Sequence, residues 1–214
     1  MSYRLAGPLT GFALICATVT SAWSHPHEFI QMRIDVLFNK SGQAVAMRQN
    51  WLFDEFFTAF AVEGLDKDGD GKPDKQALDA LLVEILGNIG KESYFTLVEQ
   101  DGNLTKFKTA TALKTEMENN QLRVQFLIPF KTPVGGPNKE FRYATFDPTF
   151  YVAMQHDDGD DVVKLKDAPK SCGHEIVPPD PDPEKMALAI SLDKGETAGD
   201  GLGIHFAEWV NIKC

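Results

Sequence analysis

Two of the five histidines in this 214-residue chain stand two positions apart, in Ser24-His25-Pro26-His27-Glu28-Phe29-Ile30. Before them, Met1 to Arg4 carries one positive charge and Leu5 to Val19 is mostly apolar. Ala22-Trp23-Ser24 then offers small residues at minus three and minus one, as a signal-peptide cleavage site requires. A cut after Ser24 makes His25 the first residue of the mature chain. Its free α-amino group and imidazole can then chelate one metal ion together, with His27 as a third nitrogen donor; such a set suits zinc, copper, nickel or cobalt better than magnesium. Pro26 has no backbone N–H, which excludes the amino-terminal copper or nickel geometry that needs a deprotonated amide at position two. What remains is amine-plus-imidazole chelation by His25, or ligation by both side chains, which share a face in extended chain. The plainer alternative is the polar start of an edge strand, with proline where no ladder donor is needed.

A second chemical motif is Asp66-Lys-Asp68-Gly-Asp70-Gly-Lys72-Pro-Asp74. Oxygen donors at loop positions one, three, five and nine, a carbonyl from Lys72 at seven and glycine at six match a calcium loop. Position twelve is Ala77 rather than a bidentate carboxylate, and Pro73 replaces the usual hydrophobic residue at eight. Calcium in a site of this kind is held with a dissociation constant of roughly 0.1 to 1 mM. Asp79 is the nearest substitute for the missing ligand, and an acidic solvated turn is the alternative.

Of three cysteines, Cys16 falls inside the signal, leaving Cys172 and Cys214, which in an exported chain read as one disulfide. The alternative is metal ligation by Cys172 with His174. Ile15 before Cys16 is not the small residue of a lipoprotein site. His156 precedes Asp157-Asp158-Gly159-Asp160-Asp161, which reads as a metal cluster or as a solvated hairpin tip; His205 fits a strand face, a surface position or a ligand. No Gly-x-Ser-x-Gly elbow, His-Glu-x-x-His helix or phosphate-cradling glycine loop occurs, so hydrolase chemistry is disfavoured.

These residues need a scaffold to position them. Removing residues 1–24 leaves one domain, and 43% hydrophobic with 24% charged residues is ordinary globular composition. Net charge is −10, and −11 once Arg4 leaves, so nucleic acid is a poor partner and cations a better one. No apolar run after residue 24 is long enough to span a bilayer. Ile30, Met32, Ile34, Val36 and Phe38 alternate with polar residues, and Val45, Met47, Gln49, Trp51 and Phe53 follow, so a hairpin opens the domain. Asp54 caps a short helix whose aromatics Phe56, Phe57 and Phe60 read as core. Leu78, Leu81, Leu82, Ile85, Leu86 and Ile89 recur at helical spacing, so residues 54–90 form an inserted EF-hand-like helix-loop-helix. Strands are expected over 94–99, 106–113 and 122–130. Aromatic-rich 141–154 reads as a strand pair interrupted at Asp147-Pro148, and a further strand region ends at Cys172. The proline-rich 178–183 forms a stiff linker, 184–192 a helix and 204–214 a closing strand. The fold class is α+β, mainly antiparallel β and sandwich-like, with the insertion and a C-terminal helix-strand.

His25-Pro26-His27-Glu28-Phe29, Phe53-Asp54-Glu55-Phe56-Phe57, the Asp66 to Asp74 loop, Phe146-Asp147-Pro148-Thr149-Phe150-Tyr151-Val152-Ala153 and the final cysteine together resemble a family of periplasmic proteins of unknown function. That family is described as the periplasmic component of an uncharacterised ABC-type transport system, often found beside nickel/cobalt-type permeases. Its members commonly place glutamate near the end of the acidic loop, where this chain has Ala77. The resemblance implies a periplasmic accessory to metal-ion transport, with His25 and His27 matching the family's start and a membrane metal permease or ABC transporter as partner; no catalytic residue is expected. Two other readings stand beside it. One is a calcium-rigidified interaction module; the other is a copper oxygenase with a first-residue histidine brace completed by His156 or His205.

Overall fold

The alternating apolar residues of the first strand all point into one core, and that strand sits in the middle of its sheet. The computed structural model describes residues 26–192, 196, 199 and 201–214. Strands β1 (Glu28–Phe38) and β2 (Gln43–Phe53) form the expected antiparallel hairpin. Asn39 sets its turn: its side-chain oxygen accepts from the Ser41 and Gln43 amides at 2.9 and 3.1 Å, and Gly42 takes the positive φ of 71° that the turn demands. Ile30, Met32, Ile34, Val36 and Phe38 are all buried. Val45 departs from the expected alternation because the register with the neighbouring strand shifts between Ala44 and Ala46, turning Ala44 inward instead.

Helix α1 (Glu55–Ala61) follows, then the acidic loop and helix α2 (Lys75–Ile89), so the inserted helix-loop-helix is present. Asp54 caps α1 as expected, accepting from the Phe57 amide at 2.8 Å. Leu78, Leu82 and Leu86 are the buried stripe of α2, which packs on β5. Beyond it lie β3 (Thr96–Gln100), β4 (Asn103–Leu104), β5 (Thr111–Glu118), β6 (Gln121–Gly135), β7 (Glu140–Thr145), β8 (Val152–His156), β9 (Val163–Lys166), β10 (Gly173–Val177), helix α3 (Pro183–Ser191) and β11 (Trp209–Lys213).

One sheet runs β5-β6-β2-β1-β8, with β9 also on β1; the other runs β10-β11-β7-β3-β4. Both are antiparallel except where β8 and β9 pair in parallel with β1. A buried polar bridge joins them. Gln49 of β2, fully buried, donates to Thr96 Oγ1 on β3 at 3.1 Å and accepts from Trp51 Nε1 at 2.9 Å. A mixed α+β, sandwich-like fold is therefore observed.

Several local expectations change. The opening strand is not an edge strand, since β2 and β8 flank it. The strand expected at 106–113 lies at 111–118, turning through Asn119-Asn120, both at positive φ, into β6; its residues are mostly exposed, so no apolar alternation marked it. Tyr94 does not begin a strand. Ser93, Tyr94 and Phe95 are all left-handed, and β3 starts after them. The segments on either side of Asp147-Pro148 are not a pair, because β7 and β8 belong to different sheets. The acidic 157–161 run is no hairpin tip: β8 and β9 lie end to end along β1, running the same way, and the run is an excursion between them. Cys172 precedes rather than ends a strand, and 203–206 form a 3-10 turn before β11. Phe56 and Phe60 are not core; they are 83% and 75% exposed.

Candidate metal centre at the amino-terminal strand

Parallel pairing of β1 with β8 gathers residues that are far apart in sequence around His27 and Glu28. The register sets Glu28 opposite Val152, and the His27 amide donates to the Tyr151 carbonyl at 2.9 Å. The His27 ring lies 4.9 Å from that of Tyr151, centroid to centroid. One residue on, the Phe29 amide donates to Asp54 Oδ2 at 2.8 Å while the Asp54 amide returns a bond to the Phe29 carbonyl at 3.0 Å. Asp54 thus caps α1 with one carboxylate oxygen and anchors β1 with the other.

Asp147, 6% exposed, shapes the other wall. It accepts from the Thr149 amide and hydroxyl at 2.9 and 3.0 Å and from the Val152 amide at 3.0 Å, which fixes the turn that launches β8. The C-terminal segment closes over this turn. Gly201 and Gly203 amides donate to the Pro148 carbonyl, and Phe206 stacks on Phe150 with centroids 4.0 Å apart. A Cβ at Gly203 would lie 1.8 Å from the Asp147 carbonyl oxygen, so only glycine fits. His205 belongs to this covering turn. Between the two walls, Glu28 is half-buried; burial first, then the charges of Asp54 and Asp147, push its carboxyl up to about 7. A cation entering beside Glu28 would relieve that repulsion.

His25 lies outside the described residues. His156 is elsewhere: it pairs in register with Met32, four residues along from the Glu28–Val152 pair, or about 13 Å of strand. Its Nδ1 donates to Glu208 Oε2 at 2.8 Å, and its backbone amide reaches the same oxygen at 2.7 Å. Burial alone raises the Glu208 carboxyl, but these bonds from His156 outweigh it and hold the group below its ordinary value. Cys172 is bonded to Cys214, which consumes the thiol a Cys172–His174 site needs. His174 sits on β10, where burial and then the neighbouring His156 lower its pKa.

The acidic loop is folded as its spacing requires. Asp66 accepts from the Gly69 and Gly71 amides at 2.8 and 2.9 Å, Asp68 from Asp70 at 3.1 Å, Asp70 from Lys72 at 2.8 Å, and Asp74 from Lys67 at 2.9 Å. Oxygens of Asp66, Asp68 and Asp70 come within 4.8 Å of one another. Ala77 is inside α2, and Asp79 is turned away to Lys75 and to the Thr115 hydroxyl at 2.7 Å. The loop therefore has four side-chain carboxylates and no twelfth-position ligand. Glu28, Asp54, Asp147 and Tyr151 are not marked as site residues by type or spacing; each lies in one of the three segments 25–29, 53–57 and 146–153.

The fold and this site define a two-sheet α+β protein with an acidic helix-loop-helix and a carboxylate-walled amino-terminal strand. Residues 10–214 match DUF1007, described as a protein family of unknown function, and the chain belongs to that family. An uncharacterised protein of Haemophilus influenzae is 29% identical over 195 residues, covering 89% of this chain and 91% of its own. No solved structure matches the chain. Among the described residues, no helix is long and apolar enough to cross a membrane, and the disulfide is compatible with an extracytoplasmic location.

Proposed function

We propose that this protein is a periplasmic metal-binding accessory of transition-metal transport, in which His25 and His27 take zinc, nickel, cobalt or copper and pass it to a membrane permease or ABC transporter. The observation that carries this reading is the convergence of Asp54 and Asp147 on Glu28, the first residue of β1 and the residue next to His27. Clustered carboxylates at the start of this strand raise the local concentration of cations, and nitrogen donors then select a transition metal. A ligand set at a chain terminus is incomplete, and an incomplete set exchanges its ion readily, as delivery requires. Native mass spectrometry of the mature chain, begun at His25, tests it. One bound transition-metal ion is expected, absent from His25→Ala/His27→Ala; equal loading of both proteins contradicts it.

A second reading keeps the loop in view. Asp66, Asp68, Asp70, the Lys72 carbonyl and Asp74 hold calcium and rigidify the inserted helices, with no role for the histidines. The clustered oxygens of Asp66, Asp68 and Asp70 favour it.

A further inference from the structure

Three phenylalanines stand where burial would be expected. Phe56 and Phe60, one turn apart on α1, are 83% and 75% exposed, and Phe29 is 52% exposed. The helix is nonetheless firmly seated by its other face. Phe57 stacks on Phe53 at 4.6 Å, and the buried Thr58 hydroxyl accepts from the Leu122 amide at 2.9 Å. Asp54, bonded in both directions to Phe29, places that ring at the start of the helix. Beside it opens a cleft of about 600 Å³ lined by Phe29, Leu52 and Ala153 and by the polar Gln31, Asp54 and Asp158.

The segment that carries Phe56 and Phe60 is acidic. Residues 49–66 contain Asp54, Glu55, Glu63 and Asp66 and no lysine or arginine. The arginines on the outer face of the same sheet are already committed: Arg33 to Asp157, Arg48 to Asp35 and Arg123 to Glu118. We infer that Phe29, Phe56, Phe60 and the adjoining cleft dock an arginine-bearing apolar segment of another protein. A guanidinium stacks on aromatic faces and forks onto carboxylates, so it matches both parts of this surface at once. Arginine and aromatic residues are also the groups that carry most of the energy at protein interfaces. An anionic lipid surface is disfavoured by a net charge of −10, and a second copy would set Glu55 and Glu63 against their own equivalents. This inference does not depend on metal occupancy.

The test uses the mature chain and a labelled helical peptide carrying leucine on one face and arginine on the other, read by fluorescence anisotropy. Phe56→Ser/Phe60→Ser removes only exposed rings, and an unchanged melting temperature verifies its fold; Phe29→Ser provides an independent probe of the cleft. Binding weaker by about tenfold or more in either variant, with no binding of the peptide bearing glutamate for arginine, is the expected result. Equal binding by wild type and both variants overturns the proposal. So does co-flotation with phosphatidylglycerol vesicles, or a sedimenting dimer, that the double variant abolishes while peptide binding is absent.

Discussion

Asp54 joins β1 to α1, because its two carboxylate oxygens accept from the Phe29 amide, 25 residues before it, and from the Phe57 amide, three after it. That double use ties the amino-terminal strand to the inserted helices and leaves a negative charge beside Glu28. Glu28 consequently carries the sharpest pH signature of the site. Its folded pKa, about 7, lies above the ordinary carboxylate value, so the folded state binds the proton more tightly than the unfolded chain. Stability of the metal-free protein should fall as pH rises from about 4.5 to about 7 and change no further above that through this group. Water around a half-buried carboxyl screens the effect to about 1 kcal/mol. Glu28→Gln should flatten this slope in urea titrations run across that range, and a variant with the wild-type slope would show that the carboxyl is not repelled. None of this was legible locally. Asp54 reaches Glu28 across the β1–β2 hairpin, but Asp147 does so only through parallel pairing of β1 with β8, a contact between distant segments that leaves no periodic trace in sequence.

Elements with a strong local pattern were legible. The alternation of β1 and β6 and the leucine stripe of α2 reflect a buried face whose period is set by the element itself. Elements without a buried face were not. β5 is largely exposed, and α1 turns Phe57, Thr58 and Ala61 toward the interior, so of the aromatics read as core Phe57 packs there while Phe56 and Phe60 do not. The acidic loop was readable because its carboxylates follow fixed local spacing. Calcium should bind the mature chain with a dissociation constant of roughly 0.1 to 1 mM, because the twelfth-position carboxylate is missing and Asp79 is engaged with Lys75 and Thr115. Asp66→Asn should weaken it further by isothermal calorimetry. Micromolar binding would mean that another group completes the shell.

Across the whole molecule, the two sheets are held by the Gln49 bridge and by the common apolar core, while within the second sheet Cys172–Cys214 ties β10 to β11 and closes a span of 42 residues. This bond fixes β10 and the end of β11, and β11 descends from the segment that covers the amino-terminal site. Cys172→Ser/Cys214→Ser should lose about 4 kcal/mol by loop-closure entropy, measured by chemical denaturation. A variant as stable as the wild type would place the C-terminal order in the core packing alone. The two-sheet architecture and the disulfide were legible in sequence, whereas the assignment of β7 and β8 to different sheets was not, since only the crossing at Asp147-Pro148 distinguishes them.

The central claim is that the amino-terminal histidines bind a transition metal. Calorimetric titration of zinc, nickel, cobalt and copper into mature protein, with its terminus verified as His25 by mass spectrometry, tests it most directly. One equivalent of one of these ions should bind, with the enthalpy lost in His25→Ala/His27→Ala and retained in Asp66→Asn. Unchanged stoichiometry and affinity in the double histidine variant would contradict the account and leave the acidic loop as the metal site.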